Sequence, residues 1–144
     1  MANLEDNKQR SRRLYYEVFG GGNYDAADQL MAPDILNHGA GSPPYTGTDG
    51  IKRQAQLLRT AIPDLRVELH DQIAEGDRVA SRWTGSGSHT GPLQLPSGTV
   101  APTGNRITFD EIRIDRHGDD RIVESWWIPD RMTLWQQLGL LPDR

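Results

Sequence analysis

The chain contains no cysteine. That excludes a disulfide framework, thiol nucleophiles and thiolate metal sites. No apolar run approaches the ~18 residues that a membrane-spanning helix requires. Positive charge is not in excess either: 16 Lys and Arg stand against 20 Asp and Glu, for a net charge of -4 and a pI of 5.5. This balance disfavours a nucleic-acid partner. The one basic cluster, Arg10, Arg12 and Arg13, falls on a predicted helix and reads as a solvated face. The four histidines, His38, His70, His89 and His117, lack metal-ligand spacing, so no metal is expected. The opening MANLEDNKQRSRR is polar and has no apolar core of the kind found in secretory leaders. Nothing argues for export, and a cytoplasmic location is expected.

What is present fits one domain over residues 1–144, long enough to bury roughly 70% of its unfolded surface without staples. The most informative stretch is RITFDEIRIDRHGDDRIVESWWIPD, Arg106 to Asp130. Its β-branched and aromatic residues predict two long strands. His117-Gly118-Asp119-Asp120 supplies the turn between them, and Pro129 ends the pairing because it has no N–H to donate. Within the first strand the apolar phase breaks. Ile107 and Phe109 share one parity, Ile112 and Ile114 the other. Either a bulge lies near Asp110 and Glu111, or the sheet is covered on both sides. The hairpin also brings Glu111, Arg113, Glu124 and two tryptophans together. The ordinary reading of those three charges is cross-strand ion pairing on a wet face.

The rest of the chain divides by period. Leu4 to Gly20 predicts a helix with an apolar stripe of Leu14, Tyr15, Val18 and Phe19, stopped by three glycines. A short helix over Tyr24 to Met31, an extended Asp34 to His38 and a turn-rich loop over Gly39 to Gly47 follow. Thr48 suits the N-cap of a third helix that Pro63 closes. Leu65, Val67, Leu69 and Ile73 then alternate with polar residues as a half-buried strand, and Val79 to Thr84 forms the next. Gly91 to Asn105 is long and irregular, a candidate lid. Asp130 suits the N-cap of a last helix. Helices first and strands after predict an α+β domain, with an apolar pocket between the helices and a bent sheet.

Taken in order, these segments resemble the SnoaL-like polyketide cyclases of the nuclear transport factor 2-like superfamily. The resemblance rests on YDAADQL after a Gly-rich turn, APDILNHG, GTDGIKRQ, IPDLRVELHDQIAEGDRVASRWTGSGSHTG, PTGNRITFDEIRIDRHGDDRIVESWW, and PD followed by LWQQLG. It covers nearly the whole chain. It implies a cone-shaped α+β barrel, a curved antiparallel sheet wrapped by the N-terminal helices. It also implies a homodimer, no cofactor, and a small hydrophobic or polyketide-like ligand. The implied chemistry is an intramolecular aldol condensation. A base removes a proton beside one carbonyl, and the acceptor carbonyl is protonated as the ring closes. In the characterised cyclases an Asp just before the WPD segment does this work. Laying ESWWIPD on that segment puts Trp127 in its place, Arg113 at a neighbouring His, and Asn37 at a pocket-lining Asn.

The acid/base group must then come from elsewhere. Glu111 is the first choice, with Arg113 beside it to stabilise an anion. His38 and His89 come next, as near-neutral proton carriers beside glycines, although a surface or loop-capping role is the commoner one. Asp130 is third. Arg82 could bind a substrate oxygen or pair with a structural carboxylate. Trp83, Trp126 and Trp127 could stack on a flat ligand, although tryptophans are more often core. A cofactor-free cyclase of secondary metabolism, an epoxide hydrolase or hydroxylase on the same scaffold, and a non-catalytic ligand-binding dimer are the three functions expected.

Overall fold

The computed structural model describes residues 3–141. Helix α1 spans Leu4–Arg13. Asn3 caps it by accepting the Asp6 N–H at 3.1 Å. Acidic residues in its first turn and arginines in its last complement the helix dipole. The helix then widens into a π-helical segment, Leu14–Gly20, that buries Leu14, Tyr15, Val18 and Phe19. Gly22, at φ 69°, makes the left-handed turn that lets the chain leave. Helix α2 is Ala26–Leu30 and α3 is Asp49–Ala61. Thr48 precedes α3, but its hydroxyl donates to Asp28 at 2.7 Å and makes no bond to the helix.

Eight strands follow the helices or run between them: β1 (Met31–Gly39), β2 (Tyr45–Thr46), β3 (Arg66–Glu75), β4 (Arg78–Ser88), β5 (Leu93–Leu95), β6 (Gly98–Val100), β7 (Arg106–His117) and β8 (Ile122–Pro129). Helix α4, Arg131–Gln137, closes the chain. Six strands form one curved sheet in the order β2-β1-β8-β7-β4-β3, antiparallel throughout except that β1 runs parallel to β8. The expected irregular stretch after Gly91 contains the separate β5–β6 hairpin. No helix among the described residues is long and apolar enough to cross a membrane.

The phase break in β7 has a different origin from the expected bulge. The strand pairs with β4 without interruption from Arg106 to Arg116. Ile107, Phe109, Glu111, Arg113, Asp115 and His117 all face inward, while Ile112 and Ile114 face outward. Both faces of this strand are simply apolar over part of their length. The bulge lies in β3, between Leu69 and Asp71. It turns Ile73 to the outside, where it is 72% exposed, and so breaks the alternation expected for that strand.

The helices pack on the inner face of the sheet, where Leu14, Tyr15, Val18 and Ile51 meet Trp83, Ile107 and Phe109. Two glycines make room for rings there. A Cβ on Gly85 would lie 2.6 Å from the Phe109 ring, and one on Gly39 would lie 2.9 Å from the Trp127 ring. Both substitutions would force an aromatic group out of the core.

Candidate active site

Between the inner face of the sheet and the helices lies an apolar cavity of about 500 Å³ that opens to solvent. Its walls are Leu57 and Leu58 from α3, Leu93 to Ser97 from the β5–β6 hairpin, Phe109 and Glu111 from β7, and Pro129, Arg131, Leu134 and Trp135 at the end of the chain. The hairpin therefore forms one wall of the cavity. The Asp130 N–H donates to the Asp110 carbonyl at 2.8 Å, which clamps the start of α4 against β7. Asp130 itself caps α4, accepting from the Thr133 N–H at 3.1 Å and hydroxyl at 2.7 Å.

Glu111 is the carboxyl of this cavity, and it is only 5% exposed. Burial among apolar groups pushes its pKa up to about 7, and nearby Arg113 only partly opposes this. Arg113 is 2% exposed and directs its Nε to Asp115, at 2.8 Å, rather than to Glu111. Asp115 is fully buried. Besides Arg113 it accepts from the Ser125 hydroxyl at 2.7 Å and the Ser11 hydroxyl at 2.8 Å. The guanidinium charge is thus largely matched, which leaves Glu111 free to hold a proton. Arg113 Nη2 and the hydroxyl of Tyr15 have no hydrogen-bond partner among the described residues, and Arg113 lies over the Trp127 ring at 5.1 Å.

The buried polar column continues to His117, whose ring nitrogens sit 3.0 Å from Ser11 Oγ and 2.9 Å from Arg10 Nη1. Arg10 can only donate, so Nδ1 accepts and the ring proton sits on Nε2, directed at Ser11. Ser11, Asp115 and His117 are the residue types of a hydrolytic triad, but the polarity is wrong. The Ser11 hydroxyl donates its hydrogen bond to Asp115 rather than to His117, and an arginine occupies the place where the carboxylate would hold the histidine. Burial lowers the His117 pKa to about 4, so this ring is neutral structure.

The other expected site residues fall elsewhere. His38 does not face the cavity. Strand alternation puts it on the outer face of the sheet, bonded to Glu124 at 2.8 Å and stacked on Trp126. Trp126 shares that face, with Arg78 over its ring. Arg82 is also outside, paired with Asp71 at 2.6 Å. Trp83 is core against Tyr15, Phe19 and Phe109. Trp127 is inward and buried, edge-on to Tyr45. Asn37 is buried and ties β1 to its neighbours, donating to the Gly47 and Tyr45 carbonyls at 3.0 and 3.3 Å. His89 is buried at the base of the Gly91–Asn105 segment, accepting the Thr103 N–H at 3.2 Å. The wet-face reading fails for Glu111 and Arg113 and fits only Glu124, which also pairs with Arg116 at 3.0 Å. Sequence reasoning missed the cavity walls Leu57, Phe109 and Trp135, and it missed Arg131. Among the described residues no group of three or more His, Asp or Glu side chains converges to hold a metal ion.

A curved sheet wrapped by N-terminal helices is the cone-shaped α+β fold of the nuclear transport factor 2-like class. The chain belongs to the SnoaL-like polyketide cyclase family, whose model matches residues 9–138. No curated protein matches the chain significantly. Among solved structures it is similar to AclR from Streptomyces galilaeus, provisionally termed a hydroxylase, at 26% identity and a TM-score of 0.83, covering 98% of this chain and 89% of that one. It is similar to IdmH from Streptomyces antibioticus, provisionally termed a polyketide cyclase, at 30% identity and a TM-score of 0.75, covering 92% and 98%. The fold alone is shared with an LEH-like epoxide hydrolase from M. tuberculosis, at 13% identity and a TM-score of 0.68, covering 94% and 91%.

Proposed function

We propose that this protein is a cofactor-free acid/base enzyme of secondary metabolism that closes a ring in a polyketide-like ligand. The observation that carries this reading is Glu111, a buried carboxyl on an apolar cavity with a pKa of about 7. Such a group takes and returns a proton near neutral pH. Glu111 removes a proton from carbon beside one carbonyl. The resulting enolate attacks a second carbonyl of the same molecule, and the new alkoxide takes the proton back from Glu111. Arg113, on the same strand face, favours the carboxylate form of Glu111 that takes the proton. The test needs no knowledge of the natural substrate. A 1,3-dicarbonyl probe in heavy water should exchange its activated hydrogens faster with the protein, and Glu111→Gln should abolish that gain. Unchanged exchange in the variant would remove Glu111 from the mechanism.

A hydrolytic or hydroxylating reading draws on one further observation, that Glu111 and Asp115 flank Arg113 on the same strand face. It predicts label from heavy-oxygen water or oxygen gas in the product, where ring closure predicts none. A purely binding role predicts that the ligand is recovered unchanged after long incubation.

The same reading includes a homodimer formed through the outer sheet face. Ile112 and Ile128 are paired neighbours there, 53% and 68% exposed, and Ile114 lies on the same face. It also includes a cytoplasmic site of action, which cell fractionation would check.

A further inference from the structure

Arg131 stands apart from every other charged residue of the cavity. It is the one cation among the lining residues, and Glu111 is the one carboxyl. Most other wall residues are apolar, so a guanidinium there is satisfied best by an anion that meets it. Among the described residues no carboxylate does this. Arg131 donates Nη1 to a neutral carbonyl, that of Ala40, at 2.7 Å, and forms no ion pair. Its neighbour Asp130 is committed to capping α4. The position is also fixed. Pro129 pairs with Glu111 across β7 and β8, and the Asp130–Asp110 bond holds the next residue, so Arg131 stays close to Glu111 without touching it. The Arg131 charge is felt at Glu111 and lowers its pKa slightly against the larger effect of burial.

We infer that the ligand of this cavity is an amphiphilic carboxylate, a flat unsaturated skeleton among the leucines and Trp135 with its acid group on the free N–H groups of Arg131. A guanidinium presents paired donors that match a carboxylate edge. Anchored there, the skeleton extends past Glu111, so the acid end is held while a more distant carbon meets the acid/base group. A neutral ester of the same skeleton would lack the anchor.

This inference rests on reading the cavity as the active site, and the experiment separates the two. Naphthoate and its methyl ester are titrated calorimetrically into the protein at mildly acid pH, where naphthoate is ionised and Glu111 protonated. The wild type should bind the acid about tenfold more tightly than the ester, the scale of one charge-assisted contact at a half-open site. Arg131→Gln should erase that preference without weakening the ester. Arg131→Lys should restore part of it, and Glu111→Gln should leave it intact. Equal binding of acid and ester by the wild type, a preference that survives Arg131→Gln, or no binding of either probe would overturn the inference. If the preference holds but the wild type fails to accelerate dicarbonyl exchange, the ligand class stands and the proposed chemistry falls.

Discussion

Replacing Asp115 by Asn removes one charge and changes almost no volume, yet it should be among the most damaging single substitutions in the chain. Asp115 accepts from Arg113, Ser125 and Ser11 and is fully buried. Two consequences follow. First, Arg113 becomes a buried cation without a counter-charge, and breaking a buried pair from one side costs about 3–5 kcal/mol. Second, the new amide must point its NH2 either at Arg113 or at Ser11. Towards Arg113 it meets a donor directly. Towards Ser11 it asks the hydroxyl to turn its proton to His117 Nε2, which already carries one because Arg10 occupies Nδ1. The network has no arrangement of hydrogens that satisfies all its members. Domains of this size have about 5–15 kcal/mol in total, so a large fraction of the stability should go. Urea unfolding followed by tryptophan fluorescence, with the slope m unchanged, measures it. Ser11→Ala is the scale marker, since it removes one hydroxyl and should cost about 1–3 kcal/mol. In the variant that remains folded, Arg113 would act on Glu111 unopposed, and the Glu111 midpoint should fall below about 7. A stability loss under about 1 kcal/mol would refute the reasoning, because it would mean that Arg113 is not desolvated.

Glu111 and His117 should oppose each other in the pH dependence of stability. Glu111 binds its proton more tightly folded than unfolded, so its contribution is full below its ordinary carboxyl pKa and is lost as pH rises to about 7. His117 is held neutral, so its contribution is full above its ordinary pKa and is lost as pH falls towards about 4. Wild-type stability should therefore be flat between these limits, while Glu111→Gln should show a rise with pH in the same window; a flat profile in both would contradict it. Gly85→Ala should destabilise by about 1–3 kcal/mol by displacing the Phe109 ring, and should reshape the cavity that Phe109 lines, read as altered ligand affinity together with a lower melting temperature. Ile112→Lys with Ile128→Lys should convert a dimer to a monomer in light scattering while leaving the circular dichroism spectrum unchanged. An unchanged mass would move the interface elsewhere.

Much of the scaffold was legible because its signals are local. Asp130 sits at a helix start, glycines follow Phe19, and the β7–β8 hairpin announces itself through its turn and its β-branched flanks. Sidedness was harder. Ile112 and Ile114 carry the same apolar signal whether a strand slips its phase or shows apolar residues to both sides, and only pairing with β4 distinguishes the two. The bulge at His70 left no mark, because Leu69 and Ile73 share a parity that the extra residue then splits. In the site, Glu111 and Arg113 stood out because they share one parity and Arg113 falls where the resemblance places a histidine, whereas Asp115, equally charged on the same strand, did not. His38, Arg82 and Trp126 carried equal chemical interest but were turned outward by alternation. Arg131 was invisible because nothing in sequence distinguishes a helix-start arginine in solvent from one on a cavity wall.

Gly39 and Trp127 form a single packing unit. The ring occupies space that exists only because position 39 has no side chain. A mutation that shrinks Trp127 leaves a void costing about 3–5 kcal/mol, and one that enlarges Gly39 collides with the ring. Neither step is neutral alone. A lineage that exchanges this tryptophan for a carboxylate must cross a destabilised intermediate or change both positions together, so the two residues should change in concert wherever the cavity is rebuilt for another chemistry.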